Sequence, residues 1–188
     1  MPEPLTIAVA QPRCAAKNVR LNAVEHAATI RRINARLVVF PELSLTGYEL
    51  DAAGAEIAYR KSYLGGDEPQ WFAPGNGAVV IDLDGWRVGL GICKDTGVDE
   101  HVADVAALGV DLYVAGLVHL PEELDVQEER AARIARACDS YVGFASFAGP
   151  TGGGYSSTAG VSSIWAADGT ALARAGTEPG DAARRSLT

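Results

Sequence analysis

Three side chains in this sequence have the chemistry to act together on an electrophilic carbon: the thiol of Cys93, the carboxylate of Glu42 and the ammonium of Lys61. Cys93 follows the apolar run Val88-Gly89-Leu90-Gly91-Ile92 and precedes the polar Lys94-Asp95-Thr96-Gly97. Glu42 follows Leu37-Val38-Val39-Phe40-Pro41, and Lys61 follows Tyr59-Arg60. Short apolar runs of this kind read as strands, and in α/β sheets reacting groups gather beyond the carboxyl ends of strands. The spacing therefore predicts a nucleophile, a base and a cation facing one another across a crevice. Taken singly, each has a plainer reading: a free cysteine as a small buried hydrophobe, Glu42 as a solvated loop acid, Lys61 as a surface lysine. Only the combination favours chemistry. Cys14, in an early loop, and Cys138, at the end of a helical run, read as structural thiols.

Four segments widen the pattern. Phe40-Pro41-Glu42-Leu43-Ser44-Leu45-Thr46-Gly47-Tyr48, Tyr59-Arg60-Lys61-Ser62-Tyr63-Leu64, Phe72-Ala73-Pro74-Gly75 and Gly91-Ile92-Cys93-Lys94-Asp95 resemble, in order, the signature blocks of the nitrilase superfamily of carbon-nitrogen hydrolases. Ile7-Ala8-Val9-Ala10-Gln11 resembles its first strand, and Gly160 to Ile164 with Asp168-Gly169 its late hairpin. The resemblance implies an α/β fold, a nitrilase-like αββα sandwich of two mixed sheets with flanking helices. It also implies cleavage of a non-peptide carbon-nitrogen bond in a small linear amide, carbamoyl compound or nitrile, without a cofactor, by a homodimer. In that scheme Glu42 is the base, Cys93 the nucleophile that forms a thioester, and Lys61 with a backbone N–H near Cys93 holds the developing negative charge. Glu68 resembles the family's second glutamate, which would orient Lys61 or the substrate. Two positions depart from the family. Lys94 stands where an aromatic residue often follows the cysteine, and a cation there would lower the thiol's pKa or meet a substrate carboxylate. Ser146 stands where asparagine is common, and Glu100 matches a position that is structural more often than catalytic.

Only positions 43 to 60 separate Glu42 from Lys61. A mean helix takes about 11 residues and a strand about 5, so the gap does not hold the helix and strands that the resemblance places there. Either one helix and neighbouring strands are missing or a different route carries Lys61 to the site, with Asp51 to Ala58 expected to form a turn and then the strand before Lys61. The alternative reading is a catalytically inactive or weakly folded family remnant that serves as a binding or interaction module, since uncovered core would leave a marginal domain.

At 188 residues the chain suits one domain, expected over positions 1–180 with a polar, frayed tail at 181–188. A content of 48% apolar and 21% charged residues excludes a disordered chain. No apolar run approaches the ~18 to 20 residues of a membrane span. Met1-Pro2-Glu3-Pro4 carries no basic segment leading into an apolar one, which makes the cytoplasm the expected address. A net charge of -8 disfavours nucleic acid. Cys14, Cys93 and Cys138 match neither a disulfide framework nor a zinc pattern, and His26, His101 and His119 lack metal-ligand spacing.

Periodicity predicts a strand over 5–10, a helix over 18–34 with Leu21, Val24, Ala28 and Ala27, Ile30 on its apolar side, and a strand over 37–40. Asp84-Gly85 is a hairpin turn between runs at 78–83 and 86–92, and this hairpin delivers Cys93. A helix over 99–108 ending at Gly109, a strand over 111–117, a helix over 121–138 opened by Pro121 and a strand over 141–147 follow. Gly149 to Gly154 reads as a mobile loop, since it lacks a phosphate-binding ending. A second hairpin joins 161–166 to 170–174.

Overall fold

Alternating apolar residues decide which face each strand presents. On β5 (Leu112–Leu117), Leu112 and Val114 belong to one buried cluster and Tyr113, Ala115 and Leu117 to another. A strand buried on both faces needs a layer on each side. The computed structural model describes residues 2–48 and 59–188, and within them a second sheet covers one face and helices the other.

The larger sheet has the order β3 (Val79–Leu83), β4 (Trp86–Ile92), β5, β6 (Tyr141–Ser146), β7 (Ser163–Trp165) and β8 (Ala171–Arg174). The pairs β4–β5 and β5–β6 are parallel and the rest antiparallel, so the sheet is mixed. Helices α2 (Asp99–Ala107) and α3 (Leu124–Cys138) pack on one face through Val102, Val105, Ala131 and Ile134. On the other face lies a sheet of β2 (Leu37–Val39), β1 (Leu5–Ala10) and β9 (Ala182–Leu187), whose Leu5, Ile7, Val9, Ala183 and Leu187 meet Val88, Leu112, Val114 and Ile164. The turn between β3 and β4 puts Asp84 at φ 53° and Gly85 at φ 84°, the doubly left-handed geometry that Asp-Gly favours. Two mixed sheets face to face with helices outside form the expected αββα sandwich.

Helix α1 (Val19–Ile33) has the expected bounds but not the expected inward face. The Asn18 side chain caps its start by accepting from Leu21 N–H at 3.1 Å, and Asn34 ends it at φ 51°. Leu21, Val24 and Ile30 are 45%, 56% and 45% exposed, while Asn22 and Thr29 are buried. Asn22 is inward because its amide is fully used: Oδ1 accepts from Ala15 N–H at 2.7 Å, and Nδ2 donates to the carbonyls of Ala15 at 2.9 Å and Leu45 at 3.0 Å. Apolar spacing cannot detect a helix that docks through an asparagine.

Two further expectations need correction. The tail expected to fray is strand β9, antiparallel to β1 from Leu5↔Leu187 to Ala10↔Ala182. Its polarity misled because Arg184, Arg185 and Ser186 are exposed while Ala183 and Leu187 are buried. The strand expected to run into Lys61 does not include Tyr59 and Arg60, which have no regular structure, and the expected turn and strand over Asp51 to Ala58 lie outside the described residues. Among the described residues no helix is long and apolar enough to cross a membrane.

Candidate active site

Beyond the end of β2 the chain turns through Phe40 and Pro41 to Glu42, which is buried. This turn presses against β5, where a Cβ on Gly116 would stand 2.7 Å from both Glu42 N and the Phe40 carbonyl oxygen. The turn is also held from the far side by His26. Its Nδ1 lies 2.6 Å from the Asn22 carbonyl oxygen, which can only accept, so Nδ1 carries the proton and Nε2 accepts from Ser44 Oγ at 2.8 Å. Burial lowers the His26 pKa and keeps this neutral tautomer at pH 7. Sequence reading missed this link, because a lone histidine four residues past an asparagine carries no motif. Gly116→Ala is expected to destabilise the domain by about 1–3 kcal/mol through overpacking and to slow any reaction that uses Glu42. A thermal melt and a Cys93 alkylation rate check this, and wild-type values in both would show that the turn can retreat without consequence.

Buried Glu42 and half-buried Lys61 and Glu68 form one cluster. Lys61 Nζ donates to Glu42 Oε1 and to Glu68 Oε1, each at 2.7 Å. Tyr48 O–H donates to Glu42 Oε2 at 3.0 Å, and Gly65 N–H to Glu68 Oε2 at 2.6 Å. Burial raises the Glu42 pKa and outweighs the attraction of the Lys61 charge. For Lys61 burial acts to lower the pKa, but the charge of Glu42 and the two carboxylate hydrogen bonds hold it above its ordinary value. The ammonium is thus charged at neutral pH, with two of its three donor directions taken.

Cys93 opens the turn that follows β4 and has φ 43°, in the left-handed region that L-residues seldom adopt. Its carbonyl accepts from Thr96 Oγ1 at 2.6 Å, and its Sγ lies 3.8 Å from the Val118 carbonyl oxygen. Burial, with the Glu42 charge, pushes the thiol's pKa up to about 12 against the opposing pull of Lys61. At neutral pH this sulfur is a thiol, so its activation falls to a base rather than to a standing thiolate.

Cys93 lines a cavity of about 460 Å³ together with Lys61, Glu68, Lys94, Tyr48 and Tyr155. A larger one of about 680 Å³ shares Lys61 and Glu68 and has Phe40, Trp71 and Phe72 in its wall, but Cys93 is not part of it. The smaller cavity is where an electrophile can meet the thiol. Lys94 contributes to its wall, with its ammonium donating to the Leu64 carbonyl at 2.7 Å. Of the expected site residues, Glu42, Lys61 and Glu68 are in direct contact, and Cys93 and Lys94 border the same space. Tyr48, at the end of the Glu42 block, and Tyr155, on a loop that carries no motif, were not anticipated as cavity residues; their rings meet edge to face at 5.3 Å. The loop over 149–154, expected to be mobile, is tied to Gly47 by Gly152 N–H at 2.9 Å and brings Gly153 to the cavity. The buried Ser146 hydroxyl has no hydrogen-bond partner among the described residues. No group of three or more potential metal ligands occurs among them.

Two mixed sheets between helices, with a thiol, a carboxylate and an ammonium gathered at one end of their strands, define a class of α/β proteins whose cleft sets a nucleophile beside a base and a cation. Sequence comparison names the family: a family model described as carbon-nitrogen hydrolase matches residues 51–182, and the chain belongs to it. A hydrolase in the pqqF 5' region of Pseudomonas protegens is 32% identical over 149 residues, covering 73% of this chain and 50% of the relative. The chain spans about half the length of that curated relative. Among solved structures, a cysteine-to-alanine mutant of the amidase from Nesterenkonia sp. AN1 in complex with butyramide superposes with a TM-score of 0.87 at 20% identity, covering 97% of this chain and 90% of that one. A glutamate-to-glutamine mutant of the same amidase, showing Michael addition of acrylamide at the active site cysteine, has the same TM-score and identity over 98% of this chain and 93% of that one. At that identity the likeness speaks for the fold.

Proposed function

We propose that the chain is an amidase-type carbon-nitrogen hydrolase that cleaves small linear amides, or the related carbamoyl compounds and nitriles, through a thioester on Cys93. The observation that carries this reading is Lys61, held between Glu42 and Glu68 at 2.7 Å from each, in the wall of a cavity that Cys93 also lines. Glu42 takes the Sγ proton as the sulfur attacks the amide carbon. The oxygen gains negative charge, met by the third N–H of Lys61 and a backbone N–H beside Cys93. Glu42 returns its proton to the departing nitrogen, the carbon-nitrogen bond breaks, and a primary amide gives ammonia. Glu42 then takes a proton from water, hydroxide attacks the thioester, and the acid leaves as Cys93 is reprotonated. Glu68 keeps Lys61 in place. Lys94 recognises a polar or anionic end of the substrate at the mouth of the cavity, where Tyr48, Val118 and Tyr155 favour a short chain.

The test is ammonia release from a panel of short aliphatic and ω-carboxylated amides, with a pH profile on the best of them. Glu42 must be ionised to accept the proton, and its pKa is raised. Activity is therefore expected to fall on acidification at a pH above the ordinary carboxylate range, near 4.3. A natively folded protein with no turnover across the panel would favour the interaction-module reading. A profile flat down to about pH 4 would remove Glu42 from the role of base.

A further inference from the structure

We propose that Asp95 positions Lys61 against Cys93, by binding the segments that carry the two residues to a single buried carboxylate. The inference rests on the role proposed above for Lys61. Among the described residues, 59–61 have no regular structure, so no sheet ladder there fixes the Lys61 ammonium. Asp95 supplies what the ladder would have. It is fully buried, and its Oδ1 accepts from the backbone N–H groups of Ser62 at 3.2 Å and Tyr63 at 2.9 Å. Its Oδ2 accepts from Tyr59 O–H at 2.7 Å and from Ile92 N–H at 3.0 Å. Tyr59, Ser62 and Tyr63 flank Lys61 on both sides, and Ile92 precedes Cys93. One side chain therefore sets the distance between ammonium and thiol.

The same carboxylate stabilises the turn in which Cys93 adopts φ 43°. A non-glycine residue stays in that region only where its surroundings over-determine it. Here the Ile92-to-Asp95 bond closes the turn on one side and the Thr96-to-Cys93 bond on the other. The residue type is fixed by the same inventory. All four partners are donors, and an ionised carboxylate is acceptor-only, whereas an asparagine would turn an NH2 group toward two of them. Asp95 is not part of the cavity wall, which makes it a positioning residue and not a catalytic one. The lysine segment has two other described anchors on its backbone: Gly75 N–H to the Lys61 carbonyl at 2.8 Å, which does not reach the Cys93 turn, and the Leu64 carbonyl, which accepts from the exposed Lys94 ammonium at 2.7 Å.

Asp95→Asn and Tyr59→Phe test this, each read by kcat and KM on the best amide, by the rate of Cys93 alkylation with iodoacetamide against pH, and by thermal melting. A displacement of about 1 Å at a reacting group can reduce the rate about 10²-fold, which is the loss in kcat expected for Asp95→Asn, with about 10-fold for Tyr59→Phe and KM within about twofold of wild type. The alkylation profile should also move to higher pH in both, because the Lys61 charge withdraws from the sulfur. A purely structural Asp95 would lower the melting temperature and leave kcat per folded molecule and the alkylation profile unchanged, and that result overturns the proposal. Where Asp95→Asn does not fold, Tyr59→Phe decides, since it deletes one hydroxyl from a half-buried ring. If wild-type Cys93 reacts no faster than Cys14, the reading of the whole site is overturned and this inference with it. A selective wild-type Cys93 with indifferent variants overturns the role of Asp95 alone.

Discussion

Cys93→Ala is expected to reduce ammonia release by about 10⁴-fold or more while leaving the melting temperature close to that of the wild type. The large loss follows from the chemistry: without the sulfur no thioester forms, and Glu42 and Lys61 have only water to act on. The small change in stability follows from the packing, since Cys93 is half-buried and its sulfur makes a long contact to the Val118 carbonyl and a side-chain contact to Glu42. Selective alkylation offers a check that needs no substrate. Burial pushes the pKa of Cys93 and Cys14 up to about 12 and that of Cys138 to about 11, so ionisation alone would not make Cys93 the fastest of the three. Its advantage comes from Glu42, and peptide mapping after limiting iodoacetamide should find label on Cys93 that disappears in Glu42→Gln. Equal labelling of all three thiols in folded protein would refute the assignment.

Lys61→Met should be the most damaging substitution in the cluster for stability and activity together. It leaves Glu42 and Glu68 side by side with no cation between them, and breaking a buried pair in this way costs about 3–5 kcal/mol. Loss of the Lys61 donor to the developing oxyanion should reduce kcat by about 10²–10³-fold among molecules that remain folded. The pH dependence has a definite sign. Removing the ammonium raises the already raised Glu42 pKa further, so the folded state binds a proton that the unfolded chain releases. The deficit should be smallest below the unfolded carboxylate pKa of about 4.3 and grow as pH rises toward the folded value. Melting curves at acidic and neutral pH would show this, and a deficit independent of pH would mean that the carboxylates find other partners. Lys61→Arg should also fail, because a planar fork does not fit between carboxylates that approach one ammonium from two sides.

Much of this arrangement is legible in the residues because local rules govern it. The Asp84-Gly85 turn, the start of α2 at Asp99 and the bounds of β1 each follow from neighbours in sequence. The carboxylate, ammonium and thiol were identifiable because each sits at a sharp change from apolar to polar residues or in a recognisable block. What escaped was set by contacts across the fold. The inward face of α1 depends on Asn22 meeting the carbonyl of Leu45, and the order of residues 182–187 depends on a ladder with residues 5–10. In the sequence Asp95 reads only as a neighbour of Cys93, since its four donors come from Tyr59, Ser62, Tyr63 and Ile92, three of them on a distant segment.

The pairing of β1 with β9 bears on how the molecule is made. The ladder from Leu5↔Leu187 to Ala10↔Ala182 joins β1 to a segment synthesised after the other described strands. Until then β1 has, among the described strands, only its short parallel partner β2, while the β4–β6 core with α2 and α3 is formed from a contiguous run of chain. Closing so long a loop comes late, and a nascent chain halted before residue 182 would display the apolar inner face of the larger sheet to solvent. That intermediate is the form of this chain most exposed to chaperones, proteases and self-association.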